Sequence, residues 1–281
     1  MSCNISSKDL NNLQIKELLQ KLTDYFQTIG ADFYIIGATA RDIILSGIHK
    51  QVSARRTADL DIAIAIKDWK KFNQIAEGLC KMEDFTKDSK LTQRFIFQNV
   101  YDIDIVPFGE IAKEDNTIYW PPEEQFAMSV TGYTEVANHA LDVTIDNELT
   151  VKVASLPGIF ILKLIAFNDR KHTTNKDADD LAFIIENYLE INEERAVRDH
   201  YYIYEADNFD TFTAGAELLG RDIRSILGSQ TDAMQAIVPI LTNELALADA
   251  SLLVNQMIET HKQLEYETIT TAFNNLLKST E

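Results

Sequence analysis

Cysteine is nearly absent from this 281-residue chain, which has two, Cys3 and Cys80. Two cysteines so far apart supply neither a disulfide framework nor a zinc site. Long apolar runs are also missing. Gly158-Ile-Phe-Ile-Leu is followed at once by Lys163, far short of the roughly 18 apolar residues that span a bilayer. The opening Met1-Ser-Cys-Asn-Ile-Ser-Ser-Lys-Asp lacks the basic-then-apolar order of a secretion signal. Together these absences predict a cytoplasmic protein with no membrane partner. Internal repeats and low-complexity tracts are lacking as well. Basic charge is scarce, with 26 Lys and Arg against 44 Asp and Glu, a net charge of −18. A deficit of that size argues against broad, non-specific binding to DNA or a membrane surface, since both are polyanions.

What remains is an ordinary globular composition, 46% apolar and 25% charged, long enough for one large domain or two smaller ones. The charge is uneven. Between Gly47 and Lys71 six Lys or Arg stand against three Asp, whereas between Asp179 and Asp210 ten acidic residues stand against Arg195 and Arg198. Two solvated faces would account for this. So would a basic neighbourhood for a polyphosphate beside an acidic helical region.

Apolar spacing predicts a helix over Leu10–Ile29, ended by Gly30. Phe33-Tyr-Ile-Ile is a short β-prone run stopped by Gly37, and Thr39–Leu45 reads as a short helix. A polar loop with Lys50, Arg55 and Arg56 leads to Leu60-Asp-Ile-Ala-Ile-Ala-Ile, a predicted strand. Asp68 is a plausible N-cap for a helix with Trp69, Phe72, Ile75, Ala76 and Leu79 on one stripe. Phe95-Ile-Phe and Tyr101-Asp-Ile-Asp-Ile-Val flank a turn at Asn99 and form a hairpin. Trp120-Pro-Pro reads as a loop anchor, and Glu148–Val153 as a final edge strand. From Ser155 the pattern turns helical, with Pro239 as its one breaker beyond Thr211. The expected fold class is therefore α+β, a small mixed sheet with flanking helices and then an all-helical domain. The boundary falls near Ser155, dividing the chain into 1–154 and 155–281.

Asp59 and Asp61 stand two apart on a predicted strand, so period-two geometry puts both on one face. Asp102 and Asp104 repeat the spacing on a second strand. Like charges about 4 Å apart cost roughly 4 kcal/mol at an effective dielectric near 20. A fold that converges three carboxylates normally offsets this with a cation, and hard oxygen ligands select Mg²⁺ or Mn²⁺. Isolated Asp-x-Asp pairs are common on half-exposed strands and often mean nothing. Here the pair follows a glycine-ended strand and a short helix, and a second pair follows downstream.

Gly37-Ala-Thr-Ala-Arg-Asp-Ile-Ile-Leu followed by Arg56-Thr-Ala-Asp-Leu-Asp-Ile-Ala-Ile resembles the signature of DNA polymerase β-type nucleotidyltransferases. The first part is similar to a motif of CCA-adding enzymes. The whole arrangement, with Lys163-Leu-Ile-Ala, Arg170 and Lys176-Asp-Ala-Asp-Asp180-Leu, resembles the AbiEii-like toxins of type IV toxin–antitoxin systems more closely. The resemblance spans roughly Phe33 to Leu189. It implies an ATP- or other NTP-using transferase with Asp59 and Asp61 as metal ligands. Asp104, in preference to Asp102, becomes the third carboxylate and takes the proton of, or orients, the attacking hydroxyl. Nucleotide contacts fall to Gly37, Ala38, Thr39, Arg41, Arg56, Arg170 and Asp177, and Lys163 joins the catalytic set by neutralising triphosphate charge.

The departure from the pattern is Ala38, where a serine or second glycine is usual. Ala38 has no hydroxyl, so phosphate binding would fall to the Thr39 hydroxyl or to backbone N–H groups. Arg41-Asp42 on a short helix is as often a surface pair. Lys163 has a bland alternative as a snorkelling lysine, and Asp177 as an N-terminal helix charge. The five histidines show no ligand spacing, and His200-Tyr-Tyr-Ile-Tyr reads as packing. The acceptor implied by the resemblance is the 3′ end of tRNA, with an antitoxin protein as a candidate partner. The acidic helical half weighs against RNA and keeps a small-molecule hydroxyl acceptor open. A catalytically silent protein that binds nucleotide or a partner is the alternative from outside enzymology.

Overall fold

A computed structural model of the chain describes residues 2–10, 14–50, 59–122 and 127–280. Chain contacts divide it into two units, Met1–Ile159 and Phe160–Glu281.

Among the described residues the first unit has ten strands: β1 (Ser2–Ile5), β2 (Phe33–Ile36), β3 (Asp59–Ala65), β4 (Phe85–Lys87), β5 (Arg94–Phe97), β6 (Tyr101–Phe108), β7 (Thr117–Tyr119), β8 (Ala127–Ser129), β9 (Leu141–Ile145) and β10 (Leu149–Val153). Eight of them form one mixed sheet in the order β1-β9-β10-β2-β3-β6-β5-β4, and β7 pairs with β8 separately. Strand β3 lies inside the sheet, antiparallel to β2 and parallel to β6. Its alternation is clean at the start. Leu60 and Ile62 are fully buried, while Asp59 and Asp61 between them are only half-buried. In β6, Ile103 and Ile105 are buried and Asp102 and Asp104 half-buried. Both strands therefore turn apolar residues to the core and aspartates to the opposite face.

Helix α1 (Gln14–Thr28) buries Ile15, Leu18, Leu19, Leu22 and Phe26, the spacing expected of a core-facing stripe. Each such side chain contributes about 1.5–3 kcal/mol relative to exposure. Helix α2 (Gly37–Asp42) starts directly from β2 and continues through Ile43–Ile48 in wider turns, where the His49 N–H reaches the Ile44 carbonyl. Helix α3 (Trp69–Cys80) is capped by Asp68, whose carboxylate accepts from the Lys71 N–H at 2.8 Å. Trp120 is the anchor its sequence suggested, packed on Trp69 and Phe72 at centroid distances of 5.1 and 5.7 Å. Helix α4 (Tyr133–Asn138) completes the unit.

Strand β10 corrects an expectation. It is an interior strand between β9 and β2, not an edge. Strand β9 covers its outer side, and β1 then adds to β9 in parallel, with Cys3 opposite Val143.

The second unit is helical. Helix α5 (Leu156–Arg170) begins in the first unit, and α6 (Lys176–Ile191), α7 (Glu193–Asp199), α8 (Thr211–Leu227), α9 (Asp232–Ala246), α10 (Leu252–Thr260) and α11 (Tyr266–Thr280) follow. Helices α8 and α11 touch along their lengths because Gly220 has no side chain. A Cβ there would lie 2.5 Å from the Leu276 carbonyl oxygen. Pro239 does not break its helix, since α9 runs through it with Met234, Ile237 and Leu241 buried. Packing of that face outweighs a local cost of about 3 kcal/mol. The aromatic run His200–Tyr204 packs on itself and its neighbours, with Ile203 buried, Tyr201 on Tyr204 at 6.0 Å and Tyr204 stacked on Phe209 at 5.4 Å, while Tyr201 and Tyr202 stay exposed. The expected class holds: a mixed α+β sheet structure followed by an all-helical region.

Candidate active site

The register of β3 against β6 sets the geometry of the carboxylates. Asp61 stands directly across from Asp104, and Asp59 across from Asp102. Gly37, the first residue after β2, lies over Asp61. Its φ is +67°, and a Cβ on it would overlap Asp61 Oδ2 and come within 3.0 Å of Cγ. Glycine is thus required twice, for the left-handed backbone and for the carboxylate beside it.

Thr39 is buried and its hydroxyl donates to the Asp59 carbonyl at 2.7 Å. That engagement does not fit the phosphate-donor role expected of it. Its place is to brace the start of β3. Tyr101, at the start of β6, directs its hydroxyl to the same carbonyl at 3.5 Å. Burial pushes the Tyr101 phenol up to about 12, and the nearby Asp59, Asp42 and Asp61 charges act in the same direction. Arg41 and Asp42 are buried as a pair, Nε and Nη2 of Arg41 both donating to Asp42 Oδ1 at 3.0 and 2.8 Å. The surface pair that the sequence suggested is therefore an internal one. Ala38 follows Gly37 in α2. Arg56 lies outside the described residues.

Arg94 was not singled out by the sequence. From β5 it stands directly across from Asp104. Its Nε and Nη2 donate to Asp104 Oδ1 and Oδ2 at 2.8 and 2.7 Å, and its Nη1 donates to Asp102 Oδ2 at 3.0 Å. These hydrogen bonds, chiefly to Asp104, hold the guanidinium above its ordinary pKa. Hairpin arithmetic would have found it. With Phe97 opposite Tyr101, counting back three and forward three pairs Arg94 with Asp104.

The second unit has its own charged cluster. Lys163 of α5 places Nζ 3.2 Å from Asp177 Oδ1 and 2.7 Å from Asp180 Oδ2. Arg170 donates through Nε and Nη2 to the two oxygens of Asp177, each at 2.7 Å. Both aspartates are buried, Lys163 is largely so, and Arg170 is half-exposed. Burial by itself would raise the Asp177 pKa. The Arg170 hydrogen bonds and the Lys163 charge outweigh it and hold the carboxyl below its ordinary range. Neither bland reading survives here. Lys163 does not snorkel, and Asp177 is more than a helix-terminal charge.

The donor chemistry and register suit a divalent cation. Asp59, Asp61 and Asp104 are hard oxygen donors on one sheet face. Arg94 donates two hydrogen bonds to Asp104, and a carboxylate has about four lone-pair sites, so lone pairs remain for an ion. As placed, no three Asp, Glu, His or Cys side chains among the described residues converge on a common point that could hold an ion. Nor is any described helix long and apolar enough to cross a membrane.

Residues 20–279 match the family described as "Nucleotidyl transferase AbiEii toxin, Type IV TA system". The chain belongs to this family of nucleotidyltransferases. No curated protein matches it. Solved structures with a similar course include ANT(2″)-Ia in complex with adenylyl-2″-tobramycin, at 12% identity and TM-score 0.37, covering 68% of this chain and 99% of that one. They also include the Thermotoga maritima CCA-adding enzyme complexed with tRNA, at 13% identity and TM-score 0.32, covering 98% and 83%. The Elizabethkingia meningoseptica cyclic dinucleotide synthase CdnE has 7% identity and TM-score 0.30, covering 96% and 92%. The family match, not these distant likenesses, carries the assignment.

Proposed function

We propose that this chain transfers a nucleoside monophosphate from an NTP to an acceptor hydroxyl, breaking the α–β phosphoanhydride bond and releasing pyrophosphate, with Asp59, Asp61 and Asp104 as the carboxylates of a divalent-metal site. The observation that supports this best is the register that sets Asp61 across from Asp104 on the face shared with Asp59. Mg²⁺ or Mn²⁺ held there would neutralise triphosphate charge and favour ionisation of the attacking hydroxyl. Asp104 orients that hydroxyl and accepts its proton at a carboxylate oxygen. Gly37 keeps side chains away from Asp61, and the backbone N–H groups of the Gly37–Ala38 turn serve the phosphates. The family resemblance assigns triphosphate neutralisation to Lys163 and Arg170, and within the second unit Asp177 pairs with both cations.

The acceptor is proposed to be the 3′ end of tRNA, and the protein a toxin restrained by an antitoxin partner in the cytoplasm. Membership of a type IV toxin family supports this. The net charge of −18 favours a second reading, a small-molecule hydroxyl acceptor, because RNA binding calls for a basic track. The engaged Thr39 hydroxyl and the missing hydroxyl at Ala38 support a third, a silent nucleotide- or partner-binding protein. One assay separates them: the protein is incubated with Mg²⁺, each labelled NTP, and either total tRNA or small hydroxylated compounds. Label in tRNA that disappears in Asp61→Asn supports the first reading. Label confined to a small alcohol supports the second. No transfer to either kind of acceptor would leave the third.

A further inference from the structure

We propose that Arg94 is a built-in counter-ion that competes with a divalent cation for Asp104, and so sets how tightly the site takes its metal. The inference rests on the nucleotidyltransferase reading of the carboxylates. A guanidinium fork engages both oxygens along one edge of a carboxylate, and a divalent ion must compete for a lone pair on one of those same oxygens. Arg94 fills that edge of Asp104 with Nε and Nη2, and its remaining terminal nitrogen reaches Asp102. One permanent positive charge thus serves two of the four aspartates on this face, and guanidinium does not shed its proton to step aside.

A purely structural role explains the arrangement less well. The β5–β6 hairpin is already held by its backbone ladder and by Phe95 and Phe97, which are buried. Arg94 lies on the other side of β5, partly exposed, where the core gains little from it. Its placement matches the charge across the ladder. Arg94 is accordingly a positioning residue: it keeps Asp102 and Asp104 from repelling each other, and it yields an Asp104 oxygen when a divalent ion arrives.

The test is Mn²⁺ binding to the full chain, read as loss of the free-Mn²⁺ paramagnetic resonance signal, without reference to turnover. Arg94→Gln should bind Mn²⁺ about tenfold more tightly than the unsubstituted protein, because a unit positive charge a few ångströms from the ion has gone. Arg94→Lys keeps the charge and loses the fork, and should fall between the two. If Arg94→Gln binds with equal or lower affinity while Asp61→Asn binds more weakly than the unsubstituted protein, the counter-ion idea is overturned and the carboxylate site stands. If Asp61→Asn binds Mn²⁺ as the unsubstituted protein does, the site itself is misassigned and the inference falls with it.

Discussion

Gly37 leaves no room for a side chain beside Asp61. A Cβ at that position would overlap the carboxylate, and the backbone there has φ +67°. Gly37→Ala therefore carries two penalties, left-handed strain of about 1–2 kcal/mol and displacement of the Asp61 carboxylate. The expected outcome is a fall of several degrees in melting temperature together with a loss of Mn²⁺ binding at least as large as in Asp61→Asn. Calorimetry and metal titration on one preparation check both. A variant that melts lower yet binds Mn²⁺ normally would refute the coupling of this glycine to the site.

Asp104 and Asp102 share a face and an arginine but differ in engagement. Asp104 accepts two hydrogen bonds from Arg94 and its side chain is 17% exposed, whereas Asp102 accepts one and is 40% exposed. Asp104→Asn should lower nucleotide transfer by about a hundredfold or more, a barrier increase near 3 kcal/mol. Asp102→Asn should stay within roughly threefold of the parent, below about 1 kcal/mol. Labelled-NTP incorporation measures both, and the opposite ranking would move the third carboxylate to Asp102.

Asp177→Asn removes the carboxylate that holds Arg170 and one contact of Lys163. Because Asp177 is buried, breaking this pairing should cost about 3 kcal/mol, seen as a drop in melting temperature on the order of 10 °C. The depressed pKa also fixes a direction with pH. The ionised form is favoured in the folded chain, so its stabilisation is present above the ordinary Asp value of about 3.9 and fades as pH falls through the lower folded value. Melting curves in acid should therefore converge for the parent and Asp177→Asn. Curves that stay parallel to the lowest measurable pH would contradict this.

His261 gives the helical unit the opposite dependence. Its Nε2 lies 3.2 Å from Asp179 Oδ1 and its Nδ1 3.3 Å from Glu186 Oε2. The Asp179 hydrogen bond raises its pKa, burial opposes, and the two carboxylate charges prevail. Stabilisation by the charged ring is complete below the ordinary histidine value near 6.5 and is lost as pH rises through the raised one. His261→Gln should flatten the decline in melting temperature on the alkaline side of that value, an effect on the order of a few degrees. A decline of unchanged slope in the variant would show that another group is responsible.

The parts of this fold that could be read from sequence are those governed by local period. Asp59 and Asp61 alternate with buried Leu60 and Ile62, so their shared face follows from strand period alone. The capping of α3 by Asp68 and the anchor at Trp120 were legible in the same way. Non-local pairing was not. Strand β1 is four residues long and meets β9, far along the chain, so nothing near β10 reveals that it is interior. Helix α5 is apolar on nearly every side, with Phe160, Ile161 and Leu164 all buried, and no single polar face marks where Lys163 points. The internal pairing of Arg41 with Asp42 was hidden because adjacent charges look alike inside and out. Arg94 was legible in principle, through strand register, but it belongs to no motif.

The turn at the tip of β5 and β6 uses left-handed backbone at Gln98 and Asn99, and its length acts as a ruler for the site. Side chains alternate strictly along a strand, so one residue added to or removed from this turn would bring Phe95 or Gln93 opposite Asp104 and carry Arg94 to the core side. A loop edit with no charged residue in it would thus rewrite the electrostatics of the carboxylate face. In this lineage the length of the turn should be constrained far more tightly than its composition.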